Sequence, residues 1–555
     1  MGNAERDIAK DLEIPVGKRT PRYRFLEILP GALSYGMIIM LVVLSLISPA
    51  LGAIYLLIIV MSTLVKAIGV AFRTVQGYKM VEKAEKVNWQ GRLMELKYPH
   101  ENYDRLRGVP PRNDYDFDQH IENLRMMTVE PQSFPNPEKI YHAVIMVAYN
   151  EGLDVLIPSV EAVRDTSFPN EKIIFVLGYE ERGGPEMEAN AHELKKRFAG
   201  VFRDFIIVKH PDGLPGEIKG KGPNLTYAGE RVAEYVEKHR MSRENIIVTS
   251  LDSDNRMSKH YLSYVAYEFV VHRDRQQLSY QPVSLFMNNI WDAPAPMRVI
   301  AISNSFFNVI TSMRPHALRN FASHSQPLAA LIGMDFWSKR TIVEDGHQYW
   351  RSLFYFRGKY EVLPIRVPIY QDAVIEETFL KTLKAQFIQL RRWDYGASDV
   401  AYVGVRLFPP KHGKKRKERE VPFWNLFPKF IRLLDGHVTL AAMAPIVAFG
   451  GWVPKLLNFE SRDLVTYNLP NIVSIIQMFA SIGLMVTIIL SLRMLPARPA
   501  KYKKHKSFAM VLQWVLMPVV AIVYQCFTAL YSQTRLMLGL YMENFDVTKK
   551  FTKSD

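Results

Sequence analysis

Two apolar blocks come early in the chain, from about Phe25 to Ile47 and from about Leu51 to Phe72. Each is close to the ~20 residues a helix needs to cross a bilayer core. Ser48-Pro49-Ala50 makes a short turn between them, so residues 25–73 predict a transmembrane hairpin. Three further blocks lie within 431–533, from about Ile431 to Val453, Ile472 to Leu492 and Phe508 to Leu530. Pro518 interrupts the last one, which predicts one kinked span or two short helices that re-enter. Between the two sets the pattern changes. Short apolar runs at His142 to Ala148, Ile173 to Leu177, Phe205 to Val208 and Ile246 to Ser250 alternate with helical stretches. This predicts a mostly parallel sheet covered by helices, an α/β domain over 139–377. Ligands of such sheets bind at the carboxyl ends of the strands. Residues 74–138 are charged and partly helical, carry Pro110, Pro111, Pro131, Pro135 and Pro137, and read as a linker. In 378–430, Phe379, Leu383, Phe387, Leu390 and Trp393 fall near helical spacing and predict an interfacial helix. The basic run His412 to Arg419 follows it and reads as a solvated loop.

Charge orients this arrangement. Lys18, Arg19, Arg22 and Arg24 flank one end of the hairpin, and Arg73, Lys79, Lys83 and Lys86 flank the other. Basic residues stay in the cytoplasm, so the domain is expected on the cytoplasmic face of a cell membrane. The loop Arg493 to Lys506 is basic and expected on the same side. The stretch Lys455 to Leu469 is poor in basic residues and expected outside. Net charge is +15 with a pI of 9.4. The apolar blocks assign that excess to an anionic lipid bilayer and phosphate-bearing substrates. No nucleic-acid motif accompanies it, so no nucleic-acid partner is expected. Residues 1–24 are polar and lack the pattern of a secretory signal peptide. Arg6 stands where myristoylation favours Ser or Thr. Cys526 is the single cysteine, which excludes an internal disulfide, and reads as a packed apolar residue. Asp435 and His437, near a span start, read as interfacial.

Six short segments carry candidate chemistry. Tyr149-Asn150-Glu151 ends the first strand and is suited either to contact a base or ribose or to make a plain turn. Glu180-Glu181 ends the second, as acceptors for a uracil or ribose or as a solvated loop. In Lys219-Gly220-Lys221-Gly222-Pro223-Asn224, lysines among glycines allow close approach to a diphosphate; a flexible surface loop is the alternative. Asp252-Ser253-Asp254 ends a strand, and two carboxylates one residue apart suit a hard divalent ion shared with phosphates. Glu344-Asp345 suits a general base, or a helix N-cap by Asp345. Gln389-Leu390-Arg391-Arg392-Trp393 sets two cations beside an indole, suited to a diphosphate and a sugar face or to an interfacial helix anchored by Trp.

In order and spacing these segments resemble the membrane-integrated family-2 glycosyltransferases, nearest to the cellulose, chitin and hyaluronan synthases. The resemblance runs from about Tyr141 to Trp393 and includes the flanking spans. Asp252-Ser253-Asp254 looks like the family's DxD motif and Glu344-Asp345 like its ED motif, with Val343 where Thr is usual. Gln389 to Trp393 matches QxxRW, and Lys221 to Asn224 resembles a KAGN loop with Gly222 and Pro223 substituted. Phe545 to Lys550 fits FxVTxK, a gating-loop pattern of cellulose synthases. Glu180-Glu181 departs from the usual Asp-Asp.

The resemblance implies a GT-A (Rossmann-like) domain and transfer with inversion from a nucleotide-sugar donor, UDP-sugars first, to a glycan or lipid-linked acceptor. Mg²⁺ or Mn²⁺ is the implied cofactor, on Asp254 with Asp252. Asp345 is the implied base, with Glu344 beside it. Tyr149, Glu151, Glu180, Glu181, Lys221, Asp252 and Arg392 would bind the donor, and Thr548 and Lys550, in the 534–555 segment, would close over it. Gln389, Arg391 and Trp393 would meet the acceptor. FxVTxK belongs on the cytoplasmic side, which favours the re-entrant reading of the last apolar block. A processive synthase and a single-addition enzyme both fit, and a nucleotide-binding transporter or scaffold is the reading from another class.

Overall fold

The computed structural model describes residues 12–110, 114–412, 415–416, 419–459 and 464–543. Two long apolar helices, Pro21–Ile47 and Pro49–Glu85, form the expected hairpin. Thr20 caps the first, its hydroxyl accepting from the Tyr23 amide at 3.3 Å, and proline opens both, where its missing N–H is not needed. Helices Phe423–Phe449 and Leu464–Met494, a second pair in chain order, pack on the hairpin, the former along Pro21–Ile47 and the latter along Pro49–Glu85. Both pairs expose large apolar side chains such as Ile58, Val65, Phe479 and Ile482, as hydrocarbon contact requires. The far ends of the two pairs meet where Asn458 Nδ2 donates to the Ser45 carbonyl at 2.7 Å.

The last apolar block is broken into His505–Leu512, a 3₁₀ turn, Met517–Val520, a π-helical turn at Ala521–Cys526 and Phe527–Leu538. Pro518 sits within this irregular run, which relieves the helix where a proline interrupts its ladder. Both ends of the block touch the domain side. Before it, Tyr502 donates to Asp292, Lys501 lies 3.3 Å from the same carboxylate, and Trp291 Nε1 donates to the Pro496 carbonyl. After it, Arg24, at the start of the first helix, donates to the carbonyls of Leu536 and Met537 at 2.9 and 2.8 Å. The block is long and apolar enough to cross a membrane, and the residues that flank it contact the domain on one end and the start of the first helix on the other.

The middle of the chain is a mixed eight-stranded sheet in the order β3-β2-β1-β4-β7-β6-β8-β5. The strands are β1 Tyr141–Ala148, β2 Ile173–Glu180, β3 Asp204–His210, β4 Ile246–Asp252, β5 Arg256–Met257, β6 Leu278–Leu285, β7 Ser325–Pro327 and β8 Glu361–Tyr370. β1 pairs in parallel with β2 and β4, β2 with β3, and β6 with β8. The short β7 bridges β4 and β6 antiparallel to both, so β6 and β8 run with the first four strands. Only β5 and β7 oppose them. The α/β expectation therefore holds, with two short antiparallel strands added. β1 and β2 are buried almost throughout, which explains their continuous apolar runs. Register aligns the carboxyl ends: Ala148 pairs Tyr179, Val147 pairs Asp252 and Leu285 pairs Tyr370.

The stretch expected as a linker is a packed layer. Its helices Trp89–Glu95, Pro99–Leu106 and Phe117–Val129 bury Trp89, Leu93, Leu106 and Leu124 in the apolar cluster on one face of the sheet. Trp89 stacks on Tyr264 with ring centroids 3.5 Å apart. Its many charges had suggested exposure; they occupy the outer faces of short amphipathic helices. Cys526 is buried, as expected.

Candidate active site

The carboxyl edge of the sheet gathers most of the predicted residues. Lys221 is at its centre. It opens the Lys221–Lys238 helix, and its ammonium lies 2.9 Å from Asp252, 3.0 Å from Asp345 and 3.3 Å from Glu344. Burial alone would lower the Lys221 pKa, but the charges of Asp252, Asp345 and Glu344 hold it well above its ordinary value. Asp252 ends β4, and Glu344 and Asp345 form the first turn of the Glu344–Tyr355 helix. Two helix N-termini thus face the end of a central strand, a setting that favours anions.

Gly222 permits this approach. A Cβ there would lie 2.4 Å from the Ser338 carbonyl oxygen and 3.2 Å from Glu344 Cβ. Asn224 anchors the same helix, donating from Nδ2 to the carbonyls of Gly178 at 3.2 Å and Ala148 at 3.5 Å. The Gly-rich segment is therefore a helix start pressed against two strands, not the flexible loop that was its alternative. The N-cap of the Glu344 helix is Val343, and Asp345 lies inside the first turn, so the N-cap reading of Asp345 is corrected. The two acids differ in setting. Glu344 is buried, and burial first, then the charge of Asp345, raise its pKa against the pull of Lys221 and Arg392. Asp345 keeps 21 % of its side chain exposed, so of the two it is the one open to solvent.

The Asp252-Ser253-Asp254 turn is held from several sides. Ser253 donates to Glu151 at 2.9 Å, and the other oxygen of Glu151 accepts from the Tyr149 and Asn150 amides at 2.7 and 3.1 Å. Ser159 donates to the Ser253 carbonyl at 2.7 Å. Asp254 is buried. Its Oδ2 accepts from the Asp372 amide at 3.2 Å, and its carbonyl accepts from Asn288 at 3.0 Å. Asn289 brackets Ala373 with bonds of 2.9 and 2.7 Å. Asn288, Asn289 and Asp372 escaped the sequence reading because each follows a strand with no motif around it. Among the described residues no three His, Cys, Asp or Glu side chains converge as a metal site. Asp252 and Asp254 offer carboxylate oxygens only, a donor set that fits Mg²⁺ or Mn²⁺ with the remaining positions filled by phosphate and water.

At the end of β2 the pair Glu180-Glu181 divides. Glu180 is buried against Arg182, whose guanidinium lies 4.5 Å from the Tyr149 ring centroid. Glu181 turns outward to accept from the Asp212 amide at 3.1 Å. The missed residue here is Arg182.

The Phe379–Asp394 helix, capped by Thr378, carries Gln389 to Trp393 along the other side of the cleft. Arg392 is close enough to Glu344 to lower its pKa. Arg391 turns away, with its guanidinium 5.4 Å from the Tyr531 ring centroid. Gln389 accepts from Gln386 at 3.1 Å. Trp393 is 36 % exposed, with its ring 6.0 Å from that of Phe286, the residue that follows β6. His324, Ser325 and Gln326 are buried at β7 and belong to the core. Asp394 is buried, and burial raises its pKa to about 7 against a hydrogen bond with Thr528. Thr548 and Lys550 lie outside the described residues. The chain leading to them is anchored near the cleft: Tyr541 donates to Glu27 at 2.9 Å, the Met542 amide donates to Tyr395 at 3.2 Å, and both side chains pack in a cluster with Ile218, Ile342 and Val343.

No protein-family model matches the chain, and no curated protein sequence matches it. Among solved structures, the mannosyltransferase PcManGT from Pyrobaculum calidifontis, in complex with GDP-Man and Mn²⁺, is 13 % identical, with 79 % of this chain and 98 % of that one covered at a TM-score of 0.36. S. aureus TarS 1-349 in complex with UDP-GlcNAc is 10 % identical, with 72 % and 92 % covered at 0.36. Overlaps this shallow assign neither fold nor activity.

Proposed function

We propose that the chain is a membrane-embedded, inverting glycosyltransferase that moves a sugar from a nucleotide-sugar donor, UDP-sugars first, to an acceptor hydroxyl at the cytoplasmic face of the cell membrane. The observation that carries this reading is the convergence of Asp252, Glu344 and Asp345 on Lys221, with Arg392 in electrostatic reach. Cations and acids of this kind, in a cleft at strand ends, suit a sugar diphosphate. The likeness to family-2 synthases, carried by DxD, ED and QxxRW, supports it from the sequence.

Lys221 and Arg392 bind the diphosphate. A diphosphate beside Lys221 competes with Asp345 for the ammonium and draws it toward the leaving group. Asp345 then takes the proton of the acceptor hydroxyl. The acceptor oxygen forms a bond to the anomeric carbon as the carbon–oxygen bond to the diphosphate breaks, with inversion and release of the nucleotide diphosphate. Mg²⁺ or Mn²⁺ held by Asp254 and Asp252 would supply further neutralisation of the leaving diphosphate. Glu151 keeps the Asp252–Asp254 turn in place. Tyr149, with Arg182 over its ring, and Glu180 are suited to border the base or ribose, and Trp393 beside Phe286 offers an apolar face to the acceptor sugar.

The test is Asp345→Asn in the purified full chain, supplied with a panel of labelled nucleotide sugars and either Mg²⁺ or Mn²⁺. Transfer is abolished while donor binding persists; normal turnover would remove the base assignment. Product length separates the two enzyme readings. A ladder identifies a processive polysaccharide synthase, which QxxRW and the anchored C-terminal segment favour. One added sugar identifies a single-addition enzyme on a lipid-linked acceptor. Metal-dependent hydrolysis or transfer from any donor rejects a transporter or scaffold.

A further inference from the structure

A second charged cluster lies where the hairpin meets the domain, apart from the carboxylates at the sheet edge. Arg73 ends the apolar part of the Pro49–Glu85 helix, Arg314 and His316 follow the Ala295–Ser312 helix, and Arg432 lies on the Phe423–Phe449 helix. Packing brings these elements together. A Cβ at Gly77 would lie 2.6 Å from Val309 Cγ1 and 3.2 Å from Met313 Cγ, so the two helices touch one turn from Arg73 and one residue before Arg314. Arg432 Nη1 donates to the His316 carbonyl at 3.1 Å and ties in the third element.

The charges repel one another. Burial first, then Arg73 and Arg432, push the Arg314 pKa below its ordinary value. Burial, then Arg432, Arg314 and Arg73, do the same to His316. Among the described residues none of the three arginines forms an ion pair, and the acid on the Phe423–Phe449 helix, Asp435, lies 3.7 Å from Lys66. Three guanidinium groups held together without a counter-ion are unfavourable unless an anion sits among them, and their planar forks match phosphate oxygens. The surroundings select the kind of anion. Phe72, Phe307 and Ile431 are exposed beside the cluster, 70 %, 53 % and 45 % respectively. A free phosphate has no use for them, whereas acyl chains do. The end of an apolar helix stretch is also the level of lipid headgroups.

We propose that Arg73, Arg314 and Arg432, with His316, form a binding site for the phosphate headgroup of an anionic lipid at the seam between the hairpin and the domain. The site is independent of the glycosyltransferase reading.

The purified full chain in detergent is incubated with phosphatidylglycerol or phosphatidylcholine, and retained lipid is counted by native mass spectrometry across a titration. The wild type retains phosphatidylglycerol in preference. Each arginine removed weakens that retention about fivefold, and Arg73→Gln/Arg314→Gln/Arg432→Gln loses it. Lys503→Gln/Lys504→Gln, on an exposed loop, retains as the wild type does. Equal loss in that control, or unchanged retention in the triple variant, overturns the site. Full competition by glycerol 3-phosphate or inorganic phosphate overturns the lipid as ligand. If the triple variant does not fold, Arg432→Gln decides: a fivefold weakening supports the site and none overturns it.

Discussion

Replacing Lys221 by methionine keeps the length of the side chain and removes the charge that three carboxylates share. The contacts to Asp252, Asp345 and Glu344 are 2.9, 3.0 and 3.3 Å. At an effective dielectric constant near 20, each is worth roughly 5 kcal/mol of gross attraction. Most of that is offset by desolvation and by repulsion among the acids. The measured loss on breaking a buried ion cluster is about 3–5 kcal/mol, and the partial exposure of Asp252 and Asp345 places Lys221→Met at the lower end. The loss has a pH signature. With Lys221 gone, Glu344 loses a charge that opposes its upward shift, so the variant holds the Glu344 proton more tightly when folded than the wild type does. This part of the deficit is largest at alkaline pH and shrinks as Glu344 protonates below about pH 7. Thermal unfolding of both proteins from pH 4.5 to 8.5 measures it. Mn²⁺ should stabilise the variant more than the wild type, because a cation replaces the missing charge. Sugar transfer should fall on the order of 100-fold or more. A variant with wild-type stability at every pH, and no added response to Mn²⁺, would refute the claim that Lys221 organises the cluster.

Gly222→Ala places a methyl group 2.4 Å from the Ser338 carbonyl and should destabilise by about 1–3 kcal/mol, read from thermal unfolding, and slow transfer by shifting Glu344 away from Lys221. Asp394 has a pKa raised to about 7 by burial, with Thr528 opposing. The folded protein therefore loses stability as pH rises from about 4 to about 7, by a few kcal/mol. Asp394→Asn removes this slope and unfolds later than the wild type above pH 7; parallel profiles would contradict it. Asp345→Asn, described above, separates donor binding from transfer.

Much of the fold and part of the site could be read in advance. Strands β1 to β4 and the two helix pairs follow from continuous apolar runs, because a strand covered on both faces and a helix in hydrocarbon admit few polar residues. The acids of the cluster were legible because each ends a strand or opens a helix beside the sheet edge. What stayed hidden depends on residues far apart in the chain. Lys221 and Asp345 are separated by 124 positions, and only packing at Gly222 sets them 3.0 Å apart. Adjacent residues of a helix point about 100° apart, so Arg391 and Arg392 look alike in the sequence, yet one lies over Tyr531 and the other comes within electrostatic reach of Glu344. Glu344 and Asp345 differ only through burial. The charged stretch after the hairpin looked like a linker until Trp89 and its neighbours found the sheet, and the last apolar block has the composition of a span while its flanks contact the domain and the start of the first helix. Local composition determines which segments avoid water; which surface each then covers is a property of the whole packed chain.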